Sequence, residues 1–440
     1  MSYTPFIYKL NNNYNIELSS DTILTNRINK PKASLGFNTY FHRTINSFEN
    51  IRNNDELKEH IYYVVNNFES DIKHEEDIFH QSKKLLKVDE DEPNVLKQSF
   101  YGLWEIIDYF DLCSKNNLTY AAISEGVGVG LQTVIKYREF NNINVSNDKY
   151  FTVSINEEDK YGKRLSEQLL GYYHDKYPDL INIHKTKPFN KSNTMKSRSN
   201  GDVTDIKTIS IFKKEIKKNG KYCDLVTALG SFKTDVRKKE VLSYGLILGE
   251  IIAGLRVQAK HGSFVLRVFE TYTDVTLKLI YIMGQYYEDV FVVKPLFIRD
   301  TEQDKFIVFR DFKYDQKKDK NIIEEIVSNL ENILQSMSSD EFVFDIFSDL
   351  ELSDEFINEF KFINNELGNK QYNLINEIIN YIKAGNYFGD DYHNYKNKQL
   401  DANKWWINTF LNKKNNLQEM VSKIVNYNEK EKDLLISNIN

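Results

Sequence analysis

Gly126, Gly128 and Gly130 stand at alternate positions directly behind the apolar run Tyr120 to Ile123 and ahead of the helical spacing Leu131 to Arg138. Glycines in such a place serve a chain that leaves a strand, turns sharply and lets a ligand approach the backbone at a helix N-terminus. The spacing departs from the dinucleotide fingerprint, which sets its third glycine one residue later. A plain strand-to-helix turn without a ligand is the alternative. Either way, the segment demands a strand, a tight turn and a crossover helix in that order.

The neighbouring pattern extends this demand. Strand-length apolar runs lie at Tyr120 to Ile123, Tyr150 to Ile155, Asp224 to Ala228, Ser263 to Phe269, Asp289 to Val293 and Lys305 to Phe309. Helical spacing separates them at Leu131 to Arg138, Lys160 to Tyr173, Lys239 to Val257 and Asp274 to Tyr287. Strands alternating with helices predict a doubly wound, mostly parallel α/β sheet covered on both faces. Residues 93–318 are assigned to it. Residues 1–92 read as mostly helical, with Leu57 to Phe68 as an example, and end in the acidic run Asp89 to Glu92 before Pro93, which reads as a solvated boundary. Residues 319–440 read as a helical segment, with stripes at Ile322, Ile326, Leu330 and Ile333 and again from Leu374 to Ile382. Trp405 and Trp406 are expected to pack those helices rather than to stack a base. A chain of 440 residues has room for two or three such units.

Charge excludes one class of function. Fifty-eight Lys and Arg against 64 Asp and Glu leave a net charge of −6, so no global field draws in a polyanion. Positive charge is local instead: Lys185, Lys187, Lys191, Lys196 and Arg198 occupy a stretch from His184 to Ser199 that has no acidic residue and is rich in Ser, Thr, Asn and Pro. Such a loop can grip an RNA backbone or be ordinary solvated surface. Cys113 and Cys223 are expected to be two reduced core thiols. The N-terminus lacks a secretory pattern and the longest apolar stretch, Val241 to Val257, is interrupted by Glu250 and three glycines, so a soluble cytoplasmic chain is expected. His74 and His80 are six residues apart and do not share a helix face, so no metal site is expected there.

Several segments together resemble the FtsJ-type S-adenosylmethionine-dependent ribose 2'-O-methyltransferases, in their eukaryotic and viral cap-methyltransferase branch. Phe100-Tyr101-Gly102-Leu103-Trp104-Glu105-Ile106 matches the leading helix, and Ser124-Glu125-Gly126-Val127-Gly128 the cofactor turn. Asn200 to Ile206 matches the second cofactor-side loop, and Asp224 to Gly230 the strand that follows. Gly262 to Phe269 and then Lys294-Pro295 through Phe312 complete the series. The resemblance implies a Rossmann-like methyltransferase domain flanked by helical segments. It also implies S-adenosyl-L-methionine as cofactor, Glu125, Gly126, Gly128 and Asp205 as cofactor-lining positions, and RNA, including capped mRNA, as partner. A viral origin would add other mRNA-modifying or viral proteins as partners, and host cytoplasm or virion as location.

The same resemblance carries a Lys-Asp-Lys-Glu catalytic tetrad, whose second lysine takes the proton from the ribose 2'-hydroxyl. Motif by motif, those four positions fall on Gly102, Leu229, Arg267 and Asp304. Glycine and leucine carry no charge, arginine stays protonated and cannot be a general base, and aspartate is one methylene short. The expectation is a degenerate active site on a scaffold that is RNA-associated or binds a partner. An active methyltransferase with a remodelled site is the alternative, and an inert helical adaptor stands third.

Overall fold

The computed structural model describes residues 3–11, 19, 21–28, 35–58, 62–69, 78–93, 98–124, 126, 128–155, 162–177, 180–184, 201–218, 220–232, 234, 238–337, 341–413 and 416–437. Ten strands are described: β1 (Phe6–Leu10), β2 (Thr22–Thr25), β3 (Thr119–Ile123), β4 (Lys149–Ser154), β5 (Ile181–His184), β6 (Cys223–Ala228), β7 (Gln258–Val268), β8 (Tyr287–Lys294), β9 (Lys305–Phe312) and β10 (Phe342–Ile346). Eight form one sheet in the order β1-β8-β9-β7-β6-β3-β4-β5, and β2 pairs with β10 in a separate ribbon. The steps from β5 through β4, β3 and β6 to β7 are parallel, whereas β9 runs antiparallel to both β7 and β8, and β1 antiparallel to β8. The doubly wound sheet is as expected.

Alternation along the strands explains the two layers of helices. Ala121, Ile123, Phe151, Val153, Phe264 and Leu266 face one core, which the helices Ile206–Lys218, Tyr244–Val257, Asp274–Gly284 and Lys320–Ser336 cover. Tyr120, Ala122, Tyr150 and Val265 face the other, covered by the helices Gln98–Phe110, Val129–Phe140 and Gly162–Lys176. A strand presents successive residues to opposite faces, so apolar residues at every position mean burial on both sides.

Several expectations need correction. Residues 1–92 supply two strands, and β1 is an edge of the central sheet. The region after Lys313 contains β10 among its helices. Glu92, at the end of the acidic run, is buried: its carboxylate meets Lys136 at 2.5 Å, the Gln132 amide at 2.9 Å and the Tyr173 hydroxyl. A buried cation and two neutral donors repay the desolvation that a solvated boundary would have avoided. Of the expected helix Leu57 to Phe68, the described residues are helical at Leu57, Lys58 and Tyr62 to Val65, and the helix ends at Asn66, two residues short of Phe68.

The flanks are not separate from the sheet. The Leu417–Ser437 helix reaches β1, where Asn428 donates to the Ile7 carbonyl at 2.8 Å. The Leu35–Arg52 and Asp354–Ala384 helices share a small core of Phe41, Ile45, Phe48, Ile375 and Ile378. Both cysteines are buried with free thiols. Among the described residues, no helix is long and apolar enough to cross a membrane.

One carboxylate ties three of these parts together. Glu105, on the Gln98–Phe110 helix, is fully buried and accepts from the Leu296 amide at 2.8 Å, the Phe297 amide at 3.1 Å, the Tyr109 hydroxyl at 3.0 Å and the Trp406 indole at 3.1 Å. Burial pushes its pKa up to about 7, against the pull of those four donors. Trp406 packs on Tyr101, Phe297 and Phe410, as the packing reading of the tryptophans requires. In Glu105→Gln, one oxygen becomes an amide donor facing donors. The expected loss is about 1–3 kcal/mol of unfolding free energy in urea denaturation, with altered tryptophan fluorescence.

Candidate active site

The sheet order reverses at β3, which has β4 on one side and β6 on the other. Ligands of open α/β sheets bind in the crevice beyond the carboxyl ends of the strands at such a point. Four chain segments emerge there. After β3, Gly126 and Gly128 adopt left-handed φ of +61° and +90°, and Gly128 caps the Val129–Phe140 helix. A Cβ at Gly128 would lie 2.5 Å from Leu169 Cδ2, so only glycine fits without displacement. Gly126 is exposed, and its amide donates to the Ser154 hydroxyl at the end of β4 at 3.0 Å.

The loop before the Ile206–Lys218 helix closes against the same strand end. Gly201 has φ +79°, and a Cβ there would fall 1.8 Å from the Ser154 carbonyl oxygen. The Asp202 carboxylate accepts from the Thr204 amide and hydroxyl at 2.9 and 2.8 Å, and the Asp205 carboxylate accepts from the Lys207 amide at 2.9 Å. Asp205 therefore caps its helix, which holds the loop in place without requiring a ligand. The turn and the loop fit a cofactor's approach to the backbone: two left-handed glycines, one of them exposed, beside a helix N-terminus. Glu125, Val127, Glu157 to Asp159 and the basic residues Lys185, Lys187, Lys191, Lys196 and Arg198 lie outside the described residues. So do His74 to Asp77 and Lys97.

The four tetrad-equivalent positions have unlike surroundings. Gly102 lies buried in its helix, where a Cβ would stand 3.0 Å from Ile298 Cδ1 and 3.7 Å from Pro295 Cβ. A larger side chain there requires the Ile298 side chain to shift. Leu229 follows β6, with its amide 3.4 Å from the Ile123 carbonyl, and packs on apolar neighbours. Arg267 and Asp304 do meet: the guanidinium Nη2 donates to Asp304 Oδ2 in a direct ion pair. Asp224 sits at the opposite end of β6, where it accepts from the Thr119 amide at 2.9 Å, and takes no part.

Around the Arg267–Asp304 pair the structure gathers residues that motif reading passed over. Lys239 Nζ lies 3.3 Å from Asp304 Oδ1 and 4.1 Å above the centre of the Phe269 ring. Lys294 donates to the backbone oxygens of Glu302 and Asp304 at 2.6 and 2.8 Å, and Lys305 to that of Phe269 at 2.5 Å. Burial lowers the pKa of Lys294 to about 8 despite three nearby carboxylates, and burial with the Lys294 charge does the same for Lys305. Burial alone would raise the Asp304 carboxyl, but the charges of Arg267, Lys239 and Lys294 hold it well below the ordinary carboxylate range. Burial likewise works against the Arg267 cation, and the Asp304 carboxylate outweighs it, so the guanidinium is held even more firmly protonated. Glu250 on the Tyr244–Val257 helix was legible only as the one carboxylate in an apolar stretch. It lies buried between Ser124 and Gly230.

Sheet order, switch-point crevice and glycine turn together define a doubly wound, Rossmann-like α/β fold. Residues 178–312 match the family model described as FtsJ-like methyltransferase, and the chain carries an FtsJ-like methyltransferase domain. Curated relatives agree. An inactive cap-specific mRNA (nucleoside-2'-O-)-methyltransferase 1B of Caenorhabditis briggsae is 24% identical over 216 residues, covering 48% of this chain and 25% of that protein. The cap-specific mRNA (nucleoside-2'-O-)-methyltransferase 1 of Caenorhabditis elegans is 24% identical over 220 residues (48% and 23%), and that of Xenopus laevis 31% identical over 117 residues (26% and 14%). The chain thus spans a quarter or less of the length of these relatives. Human methyltransferase-like protein 13 in complex with SAH superposes with a TM-score of 0.28 at 13% identity, over 54% of this chain and 91% of that one.

Removing one partner of the Arg267–Asp304 pair leaves a mostly buried charge uncompensated. Asp304→Asn is expected to lower unfolding free energy by about 3–5 kcal/mol, and the apolar double variant Arg267→Met/Asp304→Leu to recover most of it. Urea titrations of both variants against the parent protein check this.

Proposed function

We propose that this chain is a homologue of the cap-specific ribose 2'-O-methyltransferases that keeps the cofactor-side scaffold and lacks the methyl-transfer step, acting as an RNA-associated or partner-binding component of mRNA modification. The ion pair between Arg267 and Asp304 carries this reading. A base that takes the 2'-hydroxyl proton must be able to exist neutral, and a guanidinium paired to a carboxylate does not. The loss is compounded at Gly102, which offers no amine and packs closely on Ile298, and at Leu229, which offers no carboxylate. A relative named inactive is consistent with such loss within the family.

Cofactor binding is a separate property from catalysis. If S-adenosyl-L-methionine binds, the backbone at Gly126 and Gly128 and the loop around Asp202 and Asp205 would hold it, and it would supply an activated methyl group. RNA contact is assigned to Lys185, Lys187, Lys191, Lys196 and Arg198, on the strength of their charge and their place between β5 and the cofactor-side loop. In the second reading the protein is an active methyltransferase. Lys239 favours it, because its amine lies on the other oxygen of the carboxylate that Arg267 engages.

Purified protein incubated with capped or uncapped RNA and radiolabelled S-adenosyl-L-methionine is expected to leave the ribose 2' positions unmethylated. Arg267→Lys alone is expected not to restore transfer, since two further positions are missing. Methylation by the parent protein that disappears in Lys239→Ala would establish the second reading instead. Neutralising the five basic loop residues is expected to weaken RNA retention and to reduce the slope of log affinity against log salt by up to about 3.5, at about 0.7 per contacted phosphate of a single strand. Filter binding between 50 and 200 mM salt, on the order used for such slopes, measures it.

A further inference from the structure

One helix governs all three loops of the crevice through two adjacent residues. Gly249 on the Tyr244–Val257 helix lies so close to the second loop that a Cβ there would stand 2.4 Å from the Val203 carbonyl oxygen. Next to it, Glu250 sends a buried carboxyl between the ends of β3 and β6. Its Oε1 accepts from the Gly230 amide at 3.1 Å, and the carboxyl also hydrogen-bonds the Ser124 side chain. The fit leaves no slack: a Cβ at Gly230 would fall 2.3 Å from Glu250 Oε1 and 2.9 Å from Ser124 Cβ. Ser124 itself has φ +54°, a left-handed conformation that a non-glycine residue adopts at a cost and that neighbouring contacts must hold. It is the residue from which the glycine turn departs.

We propose that Glu250 is the positioning residue of the cofactor crevice: its carboxyl clamps Ser124 to Gly230 and thereby sets the glycine turn for an S-adenosyl ligand. This rests on the cofactor reading given above. The tetrad residues play no part in it, and Glu250 does not replace the carboxylate absent at Leu229, because its oxygens are committed to the clamp. Its environment favours the neutral acid. Burial raises the pKa to about 8, only partly offset by Ser124, the Gly230 amide and the Arg267 cation. Among the described residues, charge facing the carboxyl comes from Arg267 on β7, while Ser124 after β3 and Gly230 after β6 face it with neutral groups.

The sign of the pH effect follows. The folded state holds a proton that the unfolded chain releases above the ordinary value of about 4.5, so the clamp's contribution is full at low pH and is lost as pH rises through about 8. Above that, a buried carboxylate is relieved by hydration, which parts the loops it joins. Glutamine reproduces the neutral acid, with an oxygen for the Gly230 amide and an NH₂ for the Ser124 hydroxyl, but does not titrate.

The test is calorimetric titration with S-adenosylhomocysteine from pH 6 to 9.5 on the full chain, together with hydrogen exchange of residues 124–130 and 229–231 in the unliganded protein. Comparison with Glu250→Gln removes the titration of the ligand's own amino group. The parent protein is expected to lose affinity at least tenfold more than Glu250→Gln between pH 6.5 and 9, and Glu250→Ala to bind at least tenfold more weakly than Glu250→Gln at pH 7. Exchange in both segments is expected to rise with pH in the parent beyond the rise in Glu250→Gln. Binding with identical pH profiles and unchanged exchange overturns the inference while leaving the cofactor reading intact. Absence of binding at every pH, with the exchange difference present, sinks the cofactor reading and the role toward a ligand, and leaves a clamp without one.

Discussion

A single buried carboxylate that gathers four donors fixes how the C-terminal helices meet the sheet domain. Glu105 draws the amides of Leu296 and Phe297, the hydroxyl of Tyr109 and the indole of Trp406 onto one point. The Gln98–Phe110 helix, the turn beyond β8 and the C-terminal helices thereby share one anchor. Gly102, one turn earlier on that helix, is in consequence pressed against Ile298.

In the crevice, Arg267 and Asp304 neutralise each other, and Lys239 lies 3.3 Å from the other oxygen of Asp304. Lys294 and Lys305, whose pKa values lie near 8, spend N–H groups on backbone oxygens: Lys294 on Glu302 and Asp304 in the β8–β9 connection, and Lys305 on Phe269 just beyond β7. Buried cations are costly unless hydrogen-bonded in this way.

Strands buried on both faces were legible because their apolar runs are continuous and bounded, as in Tyr120 to Ile123 and Asp224 to Ala228. β5 and β10 escaped notice since four- and five-residue strands carry little pattern, and Phe342 to Ile346 alternates within a helical region. β1 was hidden by the Asn-rich stretch behind it, and its pairing with β8 joins residues nearly three hundred positions apart. Gly126, Gly128 and Gly201 were recognisable by residue type, because only glycine adopts their conformation without strain. Glu92 and Glu250 were not, since an acidic residue announces burial only through partners that the fold brings from elsewhere. Arg267 and Asp304 could each be placed by motif, but their direct contact, and the arrival of Lys239, depend on the antiparallel return of β9 beside β7.

The most direct test of the account is a crystal structure with S-adenosylhomocysteine and a capped oligonucleotide bound. The account predicts the Arg267–Asp304 pair intact and no lysine amine within about 3.2 Å of the ribose 2'-oxygen that faces the cofactor sulfur. A lysine amine, from Lys239 or any other residue, hydrogen-bonded to that oxygen and in line with the sulfur would contradict it.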